Sequence, residues 1–168
     1  MNYYSEKDIR DIVAGVLESS KGSCRETAGA DIPVEVSARH VHLTAEAMDI
    51  LFGEGARLTP KRMLSQPGEF LSEQRVILAS GGKVMDNVAV LGPERGRNQV
   101  ELSLTDARAL GLKPPLRLSG DLDGSGDILI IGPKGSIYAG ECTIIARAHI
   151  HMTHEDARKY RVSDGQRL

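Results

Sequence analysis

Across residues 5–17, Ile9, Ile12, Val13, Val16 and Leu17 recur at helical spacing with Glu6, Lys7, Arg10 and Asp11 between them, which predicts a short amphipathic helix. Ser19, Ser20, Gly22, Ser23 and Gly29 follow as a small, polar stretch with the character of a linker. Beyond it the texture changes to short β-prone runs at residues 32–36, 74–79, 87–91, 99–104, 116–118, 128–131 and 141–148, broken by Gly and Pro. Many short strands with close turns predict sheets that close or pack on each other. Helical pieces interrupt them at residues 45–52 and 105–110, with Gly53 and Gly111 where C-cap residues are wanted. The expected class is therefore mainly β with short helices. The N-terminal helix either docks on its own domain or serves as a targeting or docking peptide.

The chain also repeats itself. Arg39-His40-Val41-His42-Leu43-Thr44-Ala45-Glu46 returns, with a small shift at the arginine, as Arg147-Ala148-His149-Ile150-His151-Met152-Thr153-His154-Glu155. Leu91-Gly92-Pro93-Glu94-Arg95-Gly96 is echoed by Ile131-Gly132-Pro133-Lys134-Gly135, and Asp106-Ala107-Arg108 by Asp156-Ala157-Arg158. Duplication of a domain is the simplest cause, and the second copy is the shorter one.

The repeated histidines carry the chemistry. A strand projects residues i and i+2 to one face, so each His-x-His pair offers two imidazoles to one ion. With Val41 and Ile150 facing inward, His40 with His42 and His149 with His151 are expected on accessible faces at strand ends. Thr44 and Thr153 read as N-caps of the helices that follow, with Glu46, Glu155 and Asp156 in their first turns. Imidazole suits zinc, copper, nickel or iron; zinc is preferred for acyl transfer or hydrolysis without redox chemistry. Glu101, flanked by Val100 and Leu102 directed to the other face, is the candidate third ligand. Arg95, in the turn-rich segment 92–98, can grip a phosphate with two prongs. His154 is left without a role.

Composition narrows the partners. A formal charge of −2 with interspersed signs offers no basic face for nucleic acid. The apolar runs are strand-sized, short of a membrane span. Acidic residues at the N-terminus do not suit a secretory signal. Cys24 and Cys142, far apart in ordinary composition, suit a reducing, intracellular compartment and show no metal-ligand spacing.

Four segments together resemble a known family: Ser37-Ala38-Arg39-His40-Val41-His42-Leu43-Thr44, Ser65-Gln66-Pro67-Gly68-Glu69-Phe70, Leu91-Gly92-Pro93-Glu94-Arg95 with Gln99-Val100-Glu101-Leu102-Ser103, and Ala148-His149-Ile150-His151-Met152-Thr153. They are similar to the phosphate propanoyltransferases of propanediol utilisation, over residues 32–168. The resemblance implies two β-barrel domains capped by short α-helices, interconverting acyl-CoA plus phosphate with acyl phosphate plus coenzyme A. It implies a two-zinc site, with His40, His42 and Glu101 on one ion, His149 and His151 on the other, and Arg95 on phosphate. Lys61 and Arg62 become candidates for the phosphates of coenzyme A. On this basis residues 1–28 are helix and linker, 43–146 the first barrel, and 29–42 with 147–168 parts of a second, incomplete barrel. The family's second ion takes a further histidine from beyond the position of Leu168, so the second site is expected to be deficient here. Unfinished strand edges favour a homo-oligomer.

The N-terminal helix resembles encapsulation peptides, which places the chain in the cytoplasm, within the lumen of a bacterial microcompartment, with residues 1–20 on shell proteins. Deletion of residues 1–28 is expected to abolish co-sedimentation with assembled shell proteins; unchanged co-sedimentation would rule out this use of the helix.

Overall fold

The computed structural model describes Ile32 and residues 38–167, so the expected helix at 5–17, the linker, Cys24 and most of the strand at 32–36 lie outside the described residues. Eleven elements follow in order: β1 (His40–His42), α1 (Ala45–Phe52), β2 (Pro60–Met63), β3 (Phe70–Ser80), β4 (Lys83–Gly92), β5 (Gln99–Leu102), α2 (Leu104–Leu110), β6 (Leu116–Arg117), β7 (Gly126–Ile131), β8 (Ser136–Ala146) and α3 (His154–Tyr160). Among the described residues no helix is long and apolar enough to cross a membrane.

Six strands close on themselves in the order β3-β4-β1-β5-β8-β7 and back to β3. The β1–β4 and β5–β8 pairs are parallel and the other four are antiparallel, which makes this a mixed barrel. Closure removes the free edges a six-stranded sheet would otherwise expose. Two extra strands extend it, β2 on β3 and β6 on β8. Alternate residues of the strands fill the interior, among them Val41, Val76, Leu78, Val88, Val90, Val100, Ile128, Ile130 and Ile144, all essentially inaccessible. β1 belongs to this barrel, so the unit includes His40–His42, which the sequence boundary at residue 43 left outside it.

Strands 3, 4 and 8 run longer than their apolar cores in the sequence. Ser80 pairs with Lys83 across Gly81 and Gly82, both at positive φ, and this two-residue turn lets polar residues at the strand ends join the ladder. β2 has no apolar pattern at all. Its four residues are exposed and pair only with β3, and Pro60 at its start is tolerated on a sheet edge. Leu104, expected as the end of a strand, opens α2 instead, because the Ser103 hydroxyl accepts the Asp106 amide proton and turns the chain.

The repeats in sequence become repeated caps. Thr44, Ser103 and Thr153 each accept an amide hydrogen bond from three residues on, and Ser103 and Thr153 also donate to the carboxylates of Asp106 and Asp156 at 2.9 and 2.8 Å. Gly111 and Arg161 end α2 and α3 in the left-handed conformation. Helix α1 buries Ala47, Met48 and Leu51. At its C-terminus the Lys134 amide donates to the Leu51 carbonyl at 3.0 Å, so the β7–β8 turn satisfies a helix-end acceptor. That approach needs glycine. A Cβ on Gly132 would meet the Leu51 backbone oxygen, and one on Gly135 would stand 2.7 Å from that of Ile50.

Gly132→Ala is therefore expected to destabilise the fold by about 1–3 kcal/mol, the usual cost of overpacking a close backbone contact, as read by urea denaturation. A loss below about 0.5 kcal/mol would show that the β7–β8 turn does not pin α1.

Candidate metal centre

The site is built by two neighbouring strands. β1 and β5 are antiparallel with His40 opposite Glu101 and His42 opposite Gln99. Because side chains two apart share a face, this register gathers two imidazoles and a carboxylate in one place. One ligand atom from each of His40, His42 and Glu101 lies within 4.8 Å of the others. The imidazoles meet edge to face, with centroids 5.1 Å apart, and His40 Nε2 is 3.6 Å from Glu101 Oε2.

The three groups are more enclosed than the alternation of residues suggests. His42 and Glu101 are 2% and 6% exposed, and Val41 and Val100 between them are buried as well. The expectation of imidazoles on an accessible face is thus corrected: strands in the middle of the barrel wall are covered on both sides. Two loops are tied to this outer face. The Arg95 amide donates to the Leu43 carbonyl and the Thr44 amide to Asn98 Oδ1, both at 2.9 Å, while the Gly120 amide donates to Gln99 Oε1 at 3.0 Å.

The chemistry of each candidate ligand is set by its neighbours. His40 Nδ1 lies 2.8 Å from the Ala38 carbonyl, which can only accept, so the proton sits on Nδ1 and the Nε2 lone pair is left for a ligand. His42 Nδ1 is buried with no hydrogen-bond partner. Burial first, then the Arg95 guanidinium and then His40, hold the His42 pKa down to about 3, against a partial offset at the Leu91 backbone. The imidazole is therefore neutral near pH 7. Two imidazoles and a carboxylate form a donor set of the kind that holds zinc with coordination positions left open, and the unpartnered nitrogen of His42 fits a metal-binding role.

Arg95 stands beside this group. Its Nη2 donates to Glu69 Oε1 at 2.6 Å and its Nη1 reaches Ser119 Oγ at 3.5 Å. Glu69 is delivered by the turn Gln66-Pro67-Gly68-Glu69, closed by its amide on the Gln66 carbonyl at 3.2 Å with Gly68 at positive φ. Glu69 and Gln99 lie inside the family-like segments with no role legible there, and Ser119 lies outside those segments. Only for Gln99 was a signal present: a polar residue two before Glu101 in a strand must share its face. Lys61 and Arg62 lie exposed on β2.

The second pair is arranged differently. Residues 147–153 form no strand, His149 and His151 are exposed, and Ile150, expected to face inward, is 50% exposed. No neighbouring strand pairs with this segment among the described residues, so nothing buries the intervening side chain. Locally the pair still copies the first. His149 Nδ1 lies 2.7 Å from the Arg147 carbonyl, two residues back as in His40, and the rings again meet edge to face, with the two Nε2 atoms 3.0 Å apart. His154 begins α3. Cys142 is buried, and burial pushes its thiol pKa up.

A sequence model of a family described as phosphate propanoyltransferase matches residues 33–168. A phosphate propanoyltransferase of Alkaliphilus metalliredigens is 44% identical over 163 residues, 97% of this chain and 76% of the relative. One from Leptotrichia buccalis is 48% identical over 96% of this chain and 73% of its own length, and one from Thermotoga maritima 49% over 79% and 63%. The chain thus spans about three quarters of some relatives and under two thirds of others.

Neutral burial of His42 has a consequence for stability. Its pKa falls from 6.5 unfolded to about 3 folded, so the unfolded chain takes up the proton first, and stability present above pH 6.5 is lost as pH falls toward 3. In EDTA, His42→Gln is expected to flatten the pH dependence of urea stability over this window by roughly 1 kcal/mol per pH unit. Parallel profiles for the two proteins would show that His42 titrates normally.

Proposed function

Because the chain belongs to the phosphate propanoyltransferase family of acyltransferases, we propose that it transfers a short acyl group between coenzyme A and phosphate at the centre formed by His40, His42 and Glu101. The observation that carries this reading is a buried two-imidazole, one-carboxylate set standing next to an arginine. When bound there, zinc supplies a Lewis acid for the thioester carbonyl and the oxyanion that develops on it. The chain's own residues do the rest. The Ala38 carbonyl fixes the His40 tautomer, burial keeps His42 unprotonated, and Glu101 offsets cationic charge. Arg95, steadied by Glu69, presents its remaining N–H groups to phosphate and orients one oxygen toward the acyl carbon. A phosphate oxygen forms the new bond to that carbon, the carbon–sulfur bond breaks, and coenzyme A leaves as a thiolate that takes up a proton. No side-chain nucleophile is needed, and Cys142, buried with a raised pKa, is unsuited to be one.

His149 and His151, with their Nε2 atoms 3.0 Å apart, are proposed to contribute to a second zinc, and Lys61 and Arg62 to meet the phosphates of coenzyme A. In the same reading residues 1–28 form a shell-docking helix and linker, and residues 29–39 and 147–168 contribute to a second barrel. Propanoyl and acetyl groups are both candidate cargoes.

Purified chain is expected to release coenzyme A from propanoyl-CoA only when phosphate is present, with zinc found by elemental analysis. Release without phosphate would mark a metal-dependent hydrolase, and bound metal without turnover an inactive metal-binding protein. Arg95→Lys, which exchanges a two-pronged grip for a point charge, is expected to raise the KM for phosphate about 10-fold or more while leaving bound zinc unchanged. Equal phosphate KM values would remove Arg95 from the site.

A further inference from the structure

Gln99 is 2% exposed, lies directly opposite His42 and shares a strand face with Glu101. All the hydrogen-bonding capacity it needs is used. Its Nε2 donates to Glu101 Oε1 at 2.5 Å and to Ser119 Oγ at 2.8 Å, and its Oε1 accepts the Gly120 amide at 3.0 Å. A backbone N–H can only donate, so Gly120 fixes which end of the amide is oxygen and forces the NH2 group toward Glu101. The orientation of the amide is decided by the loop, and the orientation of the carboxylate by the amide.

We infer that Gln99 is a positioning residue for the metal centre, holding one oxygen of Glu101 so that the other faces His40. The distances agree: Oε1 is engaged by Gln99, and Oε2 is the oxygen 3.6 Å from His40 Nε2. A carboxylate left free would rotate, and the ligand set would have to be ordered each time an ion bound. Ser119 accepts from Gln99 and lies within reach of Arg95, so the same amide links the metal ligands to the phosphate arginine through the loop at residues 118–125.

This inference rests on the reading of His40, His42 and Glu101 as metal ligands, and the experiment separates the two. Cobalt(II) is titrated into the metal-free chain carrying His149→Ala and His151→Ala, so that the exposed pair does not contribute, and into the same protein with Gln99→Met or Gln99→Asn. Methionine keeps the length without the polar atoms, and asparagine is too short to reach Glu101. Both are expected to weaken cobalt binding about 10-fold or more and to change its visible d–d absorption. Should Gln99→Met fail to fold, Gln99→Asn decides. A folded Gln99 variant with the parent's affinity and spectrum overturns the positioning role while leaving the metal site standing. No cobalt binding by the parent overturns both.

Discussion

Everything at this site depends on the register between β1 and β5. With His40 opposite Glu101 and His42 opposite Gln99, two short strands of three and four residues place four polar side chains on one patch of barrel wall. A slip of one residue would send the histidines to the apolar interior and Val41 to the site. The register is held from both sides. β1 is a short strand gripped by β4 in parallel and β5 in antiparallel, and its alternate residue, Val41, is buried in the core. Hydrophobic burial thereby positions the polar groups, although none of them contributes to it.

Placing polar and ionisable groups in such an enclosed spot is costly unless each finds a partner. Most do. The carbonyl of Ala38 serves His40, Gln99 serves Glu101, and Glu69 serves Arg95. The exception is His42, whose Nδ1 has no partner and whose pKa is driven down by burial and by Arg95. An imidazole kept neutral at a structural cost is suited to giving its lone pair to a cation, and the same arginine that disfavours its protonation is placed to attract an anion. In the proposed reading, metal and phosphate binding are electrostatically linked through this one pair of residues.

The duplicated His-x-His motif shows how context changes the fate of one sequence pattern. Both copies brace the first histidine on a carbonyl two residues back and set the rings edge to face. Only the first lies between two strands, and so only the first is buried. Local chain geometry is thus a property of the motif, whereas enclosure is a property of what packs against it.

The mainly β class, the limits of α1, the caps at Thr44 and Thr153, the positions of the central strands, and the histidines and glutamate as the residues worth following were all legible along the chain. These are local matters: periodicity, capping and turn chemistry act over a few residues. Closure of six strands, the pairing of β1 with β4 and β5, the edge strand β2, and the contacts of Glu69, Gln99 and Ser119 arise instead from packing between distant segments. Glu69 meets Arg95 across 26 residues and Ser119 meets Gln99 across 20, separations at which no sequence period operates. The face on which His40 and His42 lie was legible from alternation. That this face is largely covered was not, because burial depends on loops recruited from distant parts of the chain, and the fold alone brings them there.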